Sequence, residues 1–255
     1  WSAGEQLANV PATNTLSSIS VVDLLGTGTA CILWSSSLPA DSGRPMCYID
    51  LMSGQKPHLL QTINNNMGKQ TTLQYAPSTT FYLQDQASGT PWVTKLPFPV
   101  HVVERVETLN EVTQATLVTM YAYHHGYYDG TEREFRGFGM VEQWDTELFA
   151  QYVSSTSAST TSIIEQDLYV PPVYTKTWFH TGAYLDRQNI SQHFAHEYYA
   201  GDAQATLLPD TALPAGLTAQ EEQEACRSLK GRILRQEIYA QDNSALSATP
   251  YSVTE

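Results

Sequence analysis

His193, His196 and Glu197, within His193-Phe-Ala-His196-Glu197, are the residues of this chain whose types and spacing come nearest to metal chemistry. On a helix, two histidines three apart share a face, and the adjoining carboxylate could act as base toward a metal-bound water. The spacing is not the His-Glu-x-x-His arrangement of zinc peptidases. His180 and Asp186 are available, but no third ligand is indicated. Ordinary polar side chains near a turn are the simpler reading. His124 and His125 fall on opposite faces of a regular strand, so they do not converge on one ion. Asp129, Glu132 and Glu134 have the types needed for the paired carboxylates of a glycosidase. Arg133 and Arg136 stand among them, however, and ion pairing across a hairpin accounts for the same residues. Cys31, Cys47 and Cys226 form neither a disulfide framework nor a Cys-x-x-Cys site, and they read as buried small residues of a chain made in a reducing cytosol. A Gly-x-Ser-x-Gly elbow, a phosphate-cradling loop and a dinucleotide fingerprint are all missing from the sequence. The sequence therefore assigns no catalytic, cofactor-binding or metal-ligating residue.

The elements that carry these residues are predominantly strands. With 42% hydrophobic and only 15% charged residues, 15 Tyr and 13 Pro, the 255-residue chain has the balance of strands and turns rather than helices. Its net charge of −13 opposes nucleic acid and anionic membrane surfaces, and no apolar run approaches the ~20 residues of a spanning helix. Strands are expected over Ile19–Trp34 as a hairpin, then at Cys47–Met52, Thr71–Tyr75, Thr80–Leu83, Val100–Val106 and Ala115–Tyr123. In the last, Leu117, Thr119, Tyr121 and Tyr123 alternate with Thr116, Val118, Met120 and Ala122, so neither face is plainly solvent. Gly54–Pro57, Asn64–Gly68 and Leu96–Pro99 read as turns. Ser154–Ser162 reads as a Ser/Thr-rich joint, followed by strands at Asp167–Val170 and Val173–His180 and an aperiodic connection from Gly201 to Gly216. Thr218-Ala-Gln-Glu221 is a capping box and opens the one helix expected. Gly231–Tyr239 alternates Ile233, Arg235, Glu237 and Tyr239 against Arg232, Leu234, Gln236 and Ile238, with Asp242-Asn-Ser244 as its turn. Trp1 does not open a signal peptide, and Pro250–Glu255 reads as a strand cut partway, so an excised segment is expected.

The run Tyr121–Gly139 interleaves aromatic residues with glycines around Asp129-Gly130, a dipeptide suited to a type I′ turn. Tyr123, Tyr127, Tyr128, Asp129, Gly130, Phe135 and Phe138 are the residues expected to build this hairpin, with Trp92 and Pro97 to Pro99 in a neighbouring turn. The run resembles the tyrosine-aspartate repeats of Rhs proteins. Asp23-Leu-Leu-Gly-Thr-Gly28 resembles the turn of integrin-like propeller blades, although a lone Asp23 cannot supply the six or more oxygens that calcium takes. Together with Tyr48–Met52, Gly54–Leu60, Asn64–Lys69, Trp92–Val103 and Gly231–Asp242, these phrases resemble the middle region of the B component of bacterial insecticidal toxin complexes over most of the chain.

That resemblance implies an all-β fold: residues 1–36 end a β-propeller, 37–153 form a first Rhs-like section of antiparallel shell strands, and 154–255 a second section with a long connection and a short helix. It implies a noncatalytic wall of a hollow shell that encloses and delivers a toxic cargo. The partners implied are the C component, which closes the shell, and the A component, a channel met through the propeller. No cofactor, nucleic acid or direct membrane insertion is expected. The family's self-cleaving aspartate site belongs to the C component and has no counterpart motif here. Synthesis in a bacterial cytoplasm, followed by release within the toxin complex, is implied, which leaves the glycosylation-like Asn189-Ile-Ser191 without meaning. A carbohydrate-binding β domain with exposed Tyr and Trp, and a metal-dependent hydrolase centred on His193, His196 and Glu197, are the alternatives.

Overall fold

The computed structural model describes residue 4 and residues 10–113, 115–145 and 172–255. Ser154–Ser162 and Asp167–Val170 lie outside the described residues. The chain forms two compact units, one of residues up to Leu59 with Phe98–Val100, the other of Leu60–Pro97 with His101–Glu255.

In the first unit, β1 (Ser17–Val22), β2 (Cys31–Ser36) and β3 (Met46–Asp50) form an antiparallel sheet in the order β1-β2-β3. The turn between β1 and β2 is closed by Asp23, whose two carboxylate oxygens accept the backbone N–H groups of Thr27 at 3.0 Å and Gly28 at 2.8 Å. This carboxylate serves as a turn cap. Cys31 and Trp34 on β2 are the buried residues of this sheet, whereas β1 is exposed from Ser18 onward.

The second unit is an eight-stranded antiparallel sheet in the order β11-β10-β9-β8-β7-β6-β5-β4. Its strands are β4 (Thr62–Asn64), β5 (Lys69–Pro77), β6 (His101–Asn110), β7 (Ala115–Asp129), β8 (Glu134–Asp145), β9 (Val173–Phe179), β10 (Ile233–Ala240) and β11 (Ser252–Thr254). Every strand pairs with its neighbours in sequence, even across the long connections before β6, β9 and β10. Two helices are present among the described residues, α1 (Ser78–Ser88) and α2 (Ala219–Arg227). The second is the expected helix, with its capping box formed by Thr218 and Glu221.

The first corrects the expected strand at Thr80–Leu83. The β-branched and aromatic run Thr79-Thr-Phe-Tyr82 favours a strand locally, but the helical turn puts Phe81 and Asp85 on one face, where they meet β7. Phe81 is buried edge-on to Tyr123, with ring centroids 5.7 Å apart. Gly89 ends the helix in the left-handed conformation at φ 81°. β7 runs beyond its last β6 pair at Met120, and α1 packs against it.

The turn between β7 and β8 also differs from expectation. Asp129 pairs with Glu134, so four residues make the loop, and the left-handed residue is Arg133 at φ 54°, not Gly130. Asp129 Oδ1 accepts the N–H groups of Thr131 and Glu132, closing the loop without a type I′ pair.

Candidate functional site

The cross-strand register gives the two faces of the β7–β10 sheet different chemistry. One face carries the rows Met120–Trp144–Tyr174–Tyr239, Ala122–Glu142–Lys176–Glu237 and His124–Met140–Trp178–Arg235. The other carries Tyr121–Gln143–Thr175–Ile238 and Tyr123–Val141–Thr177–Gln236, with no charge in either row. All charges of these five rows therefore stand on the first face, where aromatic rings and ion pairs interlock. Trp144 stacks on Tyr174 at 5.1 Å, Tyr174 tilts against Tyr239 at 5.5 Å, and Lys176 lies over both phenol rings. In β10 the charged alternation set is the buried one. Glu237 is fully buried and accepts from Arg235 Nε at 2.6 Å, Tyr239 at 2.5 Å and the Tyr199 N–H at 2.8 Å. Three contacts of this kind satisfy a charge that would otherwise oppose burial.

His124 sits between two carboxylates, with Nδ1 2.6 Å from Asp85 and Nε2 3.3 Å from Glu142. Burial opposes its charge, but the hydrogen bonds and charges of Asp85 and Glu142 outweigh burial and lift the imidazole to about 9. Asp85 also accepts from Trp92 Nε1 at 2.7 Å, and Glu142 from the Tyr174 hydroxyl. A continuous polar chain thus joins α1, β7, β8 and β9. His125 turns elsewhere: its Nδ1 accepts the Val93 N–H at 3.0 Å and its Nε2–H donates to Glu197 at 2.7 Å.

The trio His193, His196 and Glu197 is divided. In place of a helix that would put both histidines on one face, the backbone makes a single 3-10 turn over Ala195–Glu197. His193 is buried, while the His196 side chain is 66% exposed. Glu197 is taken up by His125 and by Trp178 Nε1 at 2.9 Å; burial pushes its carboxyl up, yet these donors hold it below its usual value. Among the described residues no group of three His, Cys, Asp or Glu is placed to hold a metal. Asp129 and Glu134 pair with Arg136 at 2.8 and 3.3 Å, while Glu132 lies 3.6 Å from Arg227, not beside Arg133. Arg136 also donates to the Gly182 carbonyl at 2.9 Å. Asp129 and Glu132 line a small cavity of about 90 Å³ with Tyr127, Tyr184 and Arg227.

The hairpin aromatics pack on one another. Tyr123 lies 5.0 Å from Phe138, which meets Phe135 at 5.6 Å and Trp92 at 6.1 Å, both edge-on. The Tyr123 hydroxyl donates to the Val103 carbonyl, and burial raises this phenol to about 12. Tyr127 faces the Arg136 guanidinium at 5.9 Å, and the Tyr128 N–H donates to the Lys95 carbonyl. Gly130 lies in the loop, and Leu96–Pro99 has no regular structure. Two glycines of the run make room for rings. A Cβ on Gly126 would lie 2.7 Å from Trp92, and one on Gly139 would lie 2.4 Å from Phe194. Sequence reading missed Phe194, the centre of a core cluster with Met140, Trp178 and Tyr198; the interleaved glycines were its signal.

The family model for the middle/N-terminal region of insecticide toxin TcdB matches residues 5–182, and that for its middle/C-terminal region matches residues 224–255. No curated protein matches the chain. Among solved structures, the chain is similar to TcdB2-TccC3, at 33% identity and TM-score 0.73 over 93% of this chain and 11% of that one. It is similar to TcdB2-TccC3 without its hypervariable C-terminal region at 32% identity and TM-score 0.74, covering 95% and 11%. A Photorhabdus luminescens Tc holotoxin pore carrying a TccC3 variant matches at 32% identity and TM-score 0.77, covering 98% of this chain and 11% of that one. The chain thus spans about a tenth of the length of the structures it matches.

Proposed function

Because the chain belongs to the insecticide toxin TcdB middle-region family, we propose that it is a noncatalytic section of the wall of a toxin-complex B component, which helps enclose and deliver a toxic cargo. The observation that carries this reading is the eight-stranded sequential sheet with two unlike faces, whose end strands β4 and β11 are only three residues long each. A wall between an interior and solvent needs unlike faces and strands that continue into neighbouring strands, since unpaired edges invite further pairing. β7 alone, at 15 residues, extends about 50 Å.

The partners of the solved relatives support the same role. TcdB2 is resolved with TccC3, and the holotoxin pore contains TccC3. For this chain we infer a C component that closes the shell and supplies the cargo. The β1–β3 sheet suits the end of a propeller, with residues 1–36 on the docking side toward a channel-forming A component and residues 37–153 and 154–255 as successive shell sections. Tyr123, Tyr127, Tyr128, Asp129, Gly130, Phe135 and Phe138 serve as the hairpin that stiffens this wall. Synthesis in a bacterial cytoplasm and release within the complex belong to the same reading. The edge-to-face packing of the hairpin rings favours a wall over a carbohydrate platform, which needs a flat aromatic face open to solvent.

The test is co-expression of the parent chain with a C component, followed by limited proteolysis. The C component's terminal region is expected to survive a protease that digests it when expressed alone, and Val141→Pro, which breaks β8, is expected to abolish that protection. Equal digestion with and without the parent chain would contradict the proposal.

A further inference from the structure

The segment Thr181–Tyr199 contains no strand and a single 3-10 turn, yet Ile190 and Phe194 are among the largest fully buried side chains. Irregular backbone lies this deep only when other groups take over the hydrogen bonds of a helix or strand. Asp210 accepts the N–H groups of Ile190 and Ser191 at 2.8 and 2.6 Å. The Ile190 carbonyl accepts two imidazoles at once, from His180 Nε2 and His193 Nδ1, each at 3.0 Å. His180 Nδ1 accepts the Gly182 N–H at 2.9 Å, so this ring is the neutral Nε2–H tautomer. His193 spends its N–H on Ile190, which leaves Nε2 a buried acceptor with no hydrogen-bond partner. The two rings meet edge to face at 5.6 Å, and Phe194 lies 4.1 Å from His193 and 4.7 Å from His125.

We propose that His180 and His193 form an acid-operated latch: the neutral pair holds Thr181–Tyr199 against the eight-stranded sheet, and uptake of one proton by each ring releases it. The proton on His193 enters at Nε2, where no acceptor waits. The proton on His180 enters at Nδ1 and sets a donor against the Gly182 N–H. Two imidazolium charges then share one carbonyl. The groups that face the pair give little relief. Asp210 acts on both rings but already serves two backbone N–H groups. Glu197 is bound to His125 on β7 and to Trp178 on β9, and Arg136 on β8 adds a positive charge beside Gly182.

Burial holds both imidazoles below the usual histidine value; for His193, neighbouring His180 adds to the effect and takes it to about 4. The folded form therefore binds fewer protons than the opened one. Opening is nearly insensitive to pH well above 6.5 and rises as pH falls below it, and His193 alone, held at about 4 in the folded form, promotes opening about 15-fold between pH 6.5 and 5. The latch does not depend on the shell reading, because its test needs no partner.

The experiment is hydrogen–deuterium exchange of this chain between pH 7.5 and 4.5, corrected for intrinsic exchange. Segment 181–199 is expected to lose protection at least about tenfold by pH 5, while β6 and β7 keep theirs. The H180Q/H193Q variant, which retains a donor toward Ile190 but cannot titrate, is expected to hold its protection constant. Uniform loss, no loss, or selective loss that persists in the folded variant would overturn the proposal. Should the variant not fold, exchange at the histidine C2 carbons of the unaltered protein reads both titrations directly. Midpoints within the interval of segment opening support the latch, and midpoints more than a pH unit outside it overturn it.

Discussion

Single residues decide how rings and charges share the charged face of the sheet. Gly139 is the sharpest case, since a Cβ there would lie 2.4 Å from Phe194 Cζ and 3.0 Å from His125 Cβ. Gly139→Ala is expected to destabilise the protein by about 1–3 kcal/mol through overpacking. Gly130→Ala, which meets nothing within 4 Å, is expected to change stability by less than about 0.5 kcal/mol; urea midpoints compare the two. His124 supplies a pH dependence of opposite sign to that of His193. Its raised value of about 9 means that its contribution is fully present below about 6.5 and is lost as pH rises from 6.5 through 9. Between pH 6 and 10 the unfolding free energy is expected to fall by on the order of 2–3 kcal/mol, and His124→Gln is expected to remove most of that slope. An unchanged slope in the variant would detach the effect from the Asp85–His124–Glu142 chain. The regular alternation expected to part His124 from His125 is interrupted at His125, which has a left-handed φ of 56° and whose partner Glu197 also binds Trp178 of the His124 row, and neither partner was legible, because Asp85 and Glu197 come from α1 and from an irregular segment far along the sequence.

At the scale of elements, strands with clear alternation and the capping box of α2 were legible because each is a local signal. Removing the cap with Thr218→Ala is expected to cost about 1 kcal/mol and to raise amide exchange within Ala219–Arg227, whereas Thr218→Ser is expected to retain most of it. Equal exchange in all three proteins would show that packing, not the cap, holds α2. Helix α1 was not legible, because Thr79-Thr80-Phe81-Tyr82 has strand propensity and the contacts that favour a helix lie on β7. Gly89 and the spacing from Phe81 to Asp85 were the available clues. Alternation in β10 separated two sets of residues but could not say which set is buried. Arg235 and Glu237 turn inward because they bind each other, and Arg235 also lies 3.3 Å from Glu255. The depth of Thr181–Tyr199 was hidden for a similar reason. Its backbone is held by Asp210, whose importance no periodicity reveals.

At the scale of the molecule, the sheet has consecutive antiparallel strands, three-residue strands at either end and, over β7–β10, one face of aromatic residues and ion pairs opposite rows of Tyr, Thr, Val, Gln and Ile that carry no charge until Asp145 beside Thr119. The all-β fold was legible from composition and turn spacing, whereas enclosure could not be, because a closed shell is a property of many more strands than this chain contains. The most direct measurement is a cryo-EM map of the full-length parent chain bound to its C component. The account predicts β4–β11 within the wall of a closed hollow shell, with β4 and β11 each hydrogen-bonded to a further strand. A separate compact domain outside any shell, with the outer edges of β4 and β11 facing solvent, would contradict it.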